Sequence, residues 1–366
     1  MTYKETLFFV AKCLTISLER KNRQEIEARL QAEEIDWEAV VKVSTGHYVF
    51  PALYCNLKRV DFLKYLPNDL VEYMKHITDL NRERNHQIID QANVLNQLLR
   101  KNEITPVFLK GTGNLLEGLY EDIAERMVGD IDFIFSKEAY PKSIAVILKD
   151  GFRSVYKEDY IFPHFKHYSR LIKDNNIAAV EIHKELLKEK YAHEFNYSLV
   201  YKDIQEINEV TVLSFENQLS LSIIANQIND DGFQYKSISL RNAYDVFLLS
   251  KKTNALLMPS KFKTLENPLN CFLAICYHTF GEIPSLEYNK TRKTEKHLKA
   301  FNKLLLNETK RKLKSTELFI RKRLSIFYKC LIDKEHRVWL LKRISDKNWQ
   351  REKMVQLGVK KAKQNL

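Results

Sequence analysis

The sequence predicts an α+β chain: a small mixed sheet with helices packed against it, flanked by α-helical segments at both ends. Three observations predict this. Long stretches before residue 100 and after about 212 repeat apolar residues at helical spacing with few breakers. Short β-type runs alternate with helical ones between 104 and 183. Only 9 Gly and 8 Pro in 366 residues disfavour an all-β chain rich in turns. The expected division is a helical N-terminal segment over 1–100, a mixed core over 101–210, and a helical region with a basic end over 211–366.

The elements follow in order. The start, M-T-Y-K-E-T-L-F-F-V-A-K-C-L, is apolar, but Lys12 interrupts it and no small-residue cleavage site follows, so it reads as a helical stripe rather than a leader. Over 70–101, Ile88, Ile89, Ala92, Leu95, Leu98 and Leu99 recur at helical spacing. I-T-P-V-F-L-K (104–110) is a strand candidate ending at Lys110-Gly111. Residues 112–124 return to a helical pattern, and D-I-D-F-I-F (130–135) is again a strand. Residues 136–152 read as a Ser cap, a helix and a stop at Gly151. H-Y-S-R-L-I-K-D-N-N-I-A-A-V-E-I-H (167–183) reads as two strands around a Lys173–Asn176 turn. Helix resumes after a Ser214 cap and continues to the end.

Composition narrows the class. Five scattered cysteines without a C-x-x-C suggest neither a disulfide framework nor a zinc site, and read as reduced core thiols of a cytoplasmic protein. No run of 18 apolar residues is present, so no membrane association is expected. The net charge of +12 is uneven: from Asn289 onward there are 24 basic and 7 acidic residues, while the rest of the chain is at −5. The basic end is a candidate nucleic-acid contact, with R-K-R at 321–323 among Phe319, Phe327, Tyr328, Trp339 and Trp349. Aromatics at helical spacing are more often core, and a basic run is more often a solvated face.

The chemistry concentrates in R-M-V-G-D-I-D-F (126–133). Residues i and i+2 of a strand share a face, so Asp130 and Asp132 point together, away from Ile131 and Phe133. In A-A-V-E-I-H the same rule puts Glu181 and His183 on one face. Were the two strands neighbours, three carboxylates would converge. That set suits Mg²⁺ or Mn²⁺ and phosphoryl or nucleotidyl transfer. L-K-G-T-G (109–113) offers an anion cradle: a strand ends, glycines permit close approach, a helix begins, Thr112 brings a hydroxyl and Lys110 a charge. Arg126 is either a triphosphate ligand or a partner for Glu121, Asp122 or Glu125. His164, His167 and His183 could form a three-histidine metal site, a weaker reading than contacts beside the carboxylates. Asp245 could face the cleft, with a surface role as the default.

K-G-T followed by R-M-V-G-D-I-D-F resembles the signature of the DNA polymerase β-like nucleotidyltransferase superfamily, h-G-[GS], a helix, then h-[DE]-h-[DE]-h. With D-W-E-A-V-V-K-V-S-T-G-H-Y-V-F-P-A-L-Y-C-N-L and V-E-I-H-K-E-L (180–186), the chain over roughly 36–250 resembles the uncharacterised nucleotidyltransferases (nucleotidyltransferase family 5). Thr112 stands where the superfamily usually has Gly or Ser, and Glu181 where Asp is usual. The resemblance implies a nucleotidyltransferase core with an NTP substrate. By the resemblance Gly111 and Thr112 would hold the triphosphate; Lys110, Arg126 and His183 are nucleotide contacts on the reading of the residues themselves, with orienting the carboxylate or a structural hydrogen bond as the other readings of His183. Asp130 and Asp132 would bind metal, and Glu181 would be the third carboxylate. The acceptor would be a small molecule, a protein or RNA. The alternative is a non-catalytic nucleotide-, RNA- or protein-binding module on a degenerate fold of this type.

Overall fold

The computed structural model describes residues 1–32, 35–155, 162, 163 and 165–356. His164 and the end of the chain beyond Gln356 lie outside them. A seven-stranded mixed sheet sits between N-terminal and C-terminal helices. Its strands are β1 (Val107–Phe108), β2 (Asp130–Ile134), β3 (Arg153–Ser154), β4 (Leu171–Ile172), β5 (Ala179–His183), β6 (Ile204–Ile207) and β7 (Val210–Leu213), in the order β3-β4-β5-β2-β1-β7-β6.

Two parallel pairings build the centre. β2 runs parallel to β5 with Asp132 opposite Glu181 and Ile134 opposite His183. β1 runs parallel to β7, with Phe108 opposite Val212, and antiparallel to β2. Ile131, Phe133 and Phe135 turn to the opposite face and are buried, with the Phe133 ring edge-on to Phe108 and Phe135. Burying that face leaves the acidic residues on the other.

Some elements differ from expectation. The first strand shrinks to Val107–Phe108, because Lys110 already opens the helix Lys110–Glu117, which Gly118 ends in the left-handed region at φ +76°. The hairpin β6–β7 is an addition to the expected strands. Its turn residues Asn208 and Glu209 both take positive φ, the geometry of a tight hairpin turn. The helix Ala139–Lys149 with its stop at Gly151, and the turn before β5, lie where the sequence puts them. The five cysteines are free and buried.

The 33-residue helix Asn68–Arg100 is the scaffold of the core. Apolar Ile88, Ala92, Leu95 and Leu99 are buried, but polar residues on the same helix set the register of what packs on it. Asn81 and Asn85 donate to carbonyls of the 123–126 segment, including that of Arg126 at 3.3 and 2.7 Å. Gln91 bonds both backbone groups of Ala178 at the start of β5. Asn96 donates to the Glu209 carbonyl in the β6–β7 turn. One helix thus aligns the segments that carry β2, β5 and β7.

Among the described residues, no helix is long and apolar enough to cross a membrane. The C-terminal helices Glu308–Ile332, Lys334–Ser345 and Lys347–Gln356 correct one expectation: Phe319, Phe327 and Tyr328 are exposed rather than core.

His297, in the helix Arg292–Leu305, gives an acid-sensitivity test. It is buried, stacked on Phe233, and its Nδ1 accepts from Lys236 Nζ at 3.2 Å. Burial, with the Lys236 charge, lowers its pKa to about 3, so it folds neutral. The unfolded chain protonates this ring below about 6.5 and the folded chain does not. Stability therefore falls as pH drops through that window, by about 2 kcal/mol from pH 6.5 to 5. Urea midpoints at pH 7 and pH 5 should show a smaller acid loss for His297→Phe than for the parent; equal losses would contradict this.

A candidate active site on strands β2 and β5

The carboxylates meet where β2 and β5 run side by side. Asp132 is buried, while Asp130 and Glu181 are half-buried. Ligand atoms of Asp132, Glu181 and His183 all lie within 4.8 Å of one another. Asp130 shares their face and is paired with Arg170.

Lys110 is the cation at the centre. It opens its helix in the left-handed region, φ +53°, and its Nζ lies 2.5 Å from Asp132 Oδ1 and 3.3 Å from His183 Nε2. His183 Nε2 lies 2.8 Å from the same carboxylate oxygen. Burial is the largest influence on Asp132 and would raise its pKa. The Lys110 charge and the hydrogen bonds from His183 and Lys110 outweigh it and hold the carboxyl well below the usual range. Burial, then Lys110, pushes His183 down to about 3, so the ring is neutral. Glu181 goes the other way: burial and the Asp132 charge raise it to about 7. Asp130 is also raised, chiefly by burial. The site thus holds one firmly ionised carboxylate and a neighbour whose ionisation is suppressed beside it.

The cradle is built differently from the sequence reading. Leu109 donates its N–H to the Asp132 carbonyl at 2.9 Å, joining the helix start to β2. The N–H groups of Lys110, Gly111 and Thr112 precede the first bond of the helix, from Gly113 to the Leu109 carbonyl. They form the anion-attracting end. Thr112 presents no hydroxyl to a ligand; its buried Oγ1 donates to the Asp130 carbonyl at 2.9 Å. The glycines serve packing. A Cβ on Gly111 would come within 2.9 Å of Val128 Cγ2 and 3.5 Å of the Arg126 guanidinium. One on Gly113 would come within 2.9 Å of the Phe108 carbonyl oxygen. Backbone cannot swing aside as a side chain can, so Gly113→Ala is expected to cost about 2 kcal/mol. A urea midpoint equal to the parent's would contradict this.

Arg126 takes neither expected role. Its guanidinium is buried and bidentate on Asp245, Nε to Oδ1 at 3.0 Å and Nη2 to Oδ2 at 2.9 Å, with Nη1 donating to the Met127 carbonyl. Asp245 also accepts from Tyr120 Oη at 2.7 Å and is buried, not a surface residue. The acidic neighbours expected for Arg126 pair elsewhere: Glu121 and Glu125 with Arg59, Asp122 with Arg82. Arg126 therefore supports the cradle from behind Gly111.

Sequence reasoning missed Arg170, Lys166 and Asp230. Lys166 is lowered to about 8 by burial and the Lys110 charge. Asp230 is raised by burial, which the charges of Lys166 and Lys110 partly offset. His167 is bridged to His183 across the strand edge and lies 3.8 Å from Glu181. The proposed three-histidine set cannot be assembled from the described residues, since His164 is not among them.

A family model described as "Uncharacterised nucleotidyltransferase" matches residues 33–280. No curated protein and no solved structure matches the chain.

Proposed function

This chain belongs to the uncharacterised nucleotidyltransferase family, and we propose that it transfers a nucleoside monophosphate from an NTP to a hydroxyl or amine acceptor, releasing pyrophosphate. The observation that carries the reading is the shared face of Asp130, Asp132 and Glu181 beside the N-terminus of the helix Lys110–Glu117. The donor set fits a hard divalent cation, Mg²⁺ or Mn²⁺. Its carboxylates are crowded enough that one resists ionisation, a strain that a dication relieves. Asp130, Asp132 and Glu181 would hold it. When bound, such an ion neutralises phosphate charge and polarises the phosphoryl oxygens.

The chain's own residues supply the rest. Lys110 and Arg170, now paired with Asp132 and Asp130, are the cations at hand for the triphosphate. First-turn N–H groups at Lys110–Thr112 attract its negative charge. His183 donates to Asp132 and fixes that carboxylate's orientation. The acceptor oxygen or nitrogen attacks the α-phosphorus, the bond to the bridging oxygen breaks, and pyrophosphate leaves. Glu181 is either the third ligand of the ion or, with the affinity for a proton near neutrality that it has in the ion-free site, the group that takes the proton the acceptor loses.

The test is release of labelled pyrophosphate from each γ-labelled NTP with Mg²⁺ or Mn²⁺. Cell RNA, small-molecule extract and protein lysate serve as acceptor pools, and an Asp130→Ala/Asp132→Ala protein as control. Release that the control loses supports transfer, and the productive pool names the acceptor. No release from any pool, together with NTP binding indifferent to metal, supports the non-catalytic binding module.

A further inference from the structure

We propose that the outward face of the helix Glu308–Ile332 docks an acidic amphipathic helix of a protein partner, independently of nucleotidyl transfer. Only Leu318 and Cys330 of its 25 residues are buried. On the outer side, Leu313, Ile320, Leu324, Phe327 and Leu331 are each 52–64% exposed. Leu313, Ile320 and Phe327 are seven apart, as are Leu324 and Leu331, with Glu317 continuing the second row. This is a two-row heptad seam about 27 Å long, the form that receives the knobs of another helix.

The flanks choose the occupant. Lys314, Arg321 and Tyr328 line one side of the seam; Thr316, Arg323 and Cys330 line the other. These are the positions that set partner choice in paired helices. Cys330 is buried, and Lys314 is paired with Glu317 of the seam at 2.9 Å, so Arg321 and Arg323 are the flank charges without an acidic partner on the seam, and no flank residue is acidic. A second copy would set like charges against each other, whereas a helix with Glu or Asp at its flanks complements them. A lipid surface favours a broad apolar face rather than a two-row seam. RNA would use the lysines and arginines and leave the apolar rows without a purpose.

The experiment uses the full chain and two labelled synthetic helices of four heptads, with Leu at both seam positions and either Glu or Lys at the flanks. Fluorescence anisotropy should show the Glu helix binding at least about 30-fold tighter than the Lys helix. Leu324→Glu and Leu324→Asn should each weaken it about tenfold or more, with unchanged thermal unfolding because the position is exposed. Equal binding of both helices, or binding of neither, overturns the proposal. So does binding to phosphatidylserine vesicles or single-stranded RNA, or self-association in sedimentation, that Leu324→Glu abolishes while Glu-helix binding persists.

Discussion

Asp132→Asn is expected to reduce pyrophosphate release by about 10³-fold, roughly 4 kcal/mol of transition-state stabilisation. The substitution keeps shape and removes charge. Asp132 is the one carboxylate of the trio held well below its usual range, so its anion is present at any working pH. It also receives both Lys110 and His183, and losing its charge loosens the groups that, in the proposed reaction, would meet the phosphate. Stability should change far less, by about 1 kcal/mol, because the Glu181 and Asp130 carboxylates remain near Lys110 and Glu181 ionises more readily once its anionic neighbour is gone. Single-turnover kinetics beside a urea titration would separate the two effects. Activity within tenfold of the parent would remove Asp132 from the mechanism.

Asp245→Ala is expected to be the most destabilising change outside the carboxylate face, at about 3–5 kcal/mol. It strands the Arg126 guanidinium and the Tyr120 hydroxyl in the interior at once. Asp245→Asn keeps a hydrogen-bonding group without the charge and should fall between Ala and the parent. The double change Arg126→Met/Asp245→Leu should recover much of the loss, since a buried pair is worth little against well-packed apolar residues of similar size. Unfolding midpoints of the four proteins give the answer. A single Asp245→Ala within 1 kcal/mol of the parent would mean that water reaches Arg126 and the pair is not a lock.

The carboxylate face was legible because strand alternation is local. Asp130 with Asp132, and Glu181 with His183, follow from period two, and the parallel register of β2 and β5 brings them together. The helix Ala139–Lys149 was legible from its apolar period and Gly151. What escaped depended on distant partners. Nothing near Arg126 announces Asp245, and nothing near Asp130 announces Arg170. The buried asparagines of Asn68–Arg100 look like ordinary polar positions until the carbonyls they serve are folded against them. The hairpin β6–β7 did carry a signal, the pair Asn208-Glu209 between β-type runs, which the helical texture after it obscured.

The pairing of β1 with β7 orders events during folding. β1 has two residues, and one of its flanks closes only when Thr211 and Val212 arrive, about a hundred positions later in the chain. Contacts at that separation are slow to form and pay their loop entropy in advance. A growing chain therefore carries Lys110 and both aspartates long before it owns a site. In the order of the chain, the hairpin that closes on β1 and the Asp245 that backs Arg126 both follow the carboxylate strands. These later pieces bear none of the carboxylates, yet they complete the sheet and the interior pair behind Gly111.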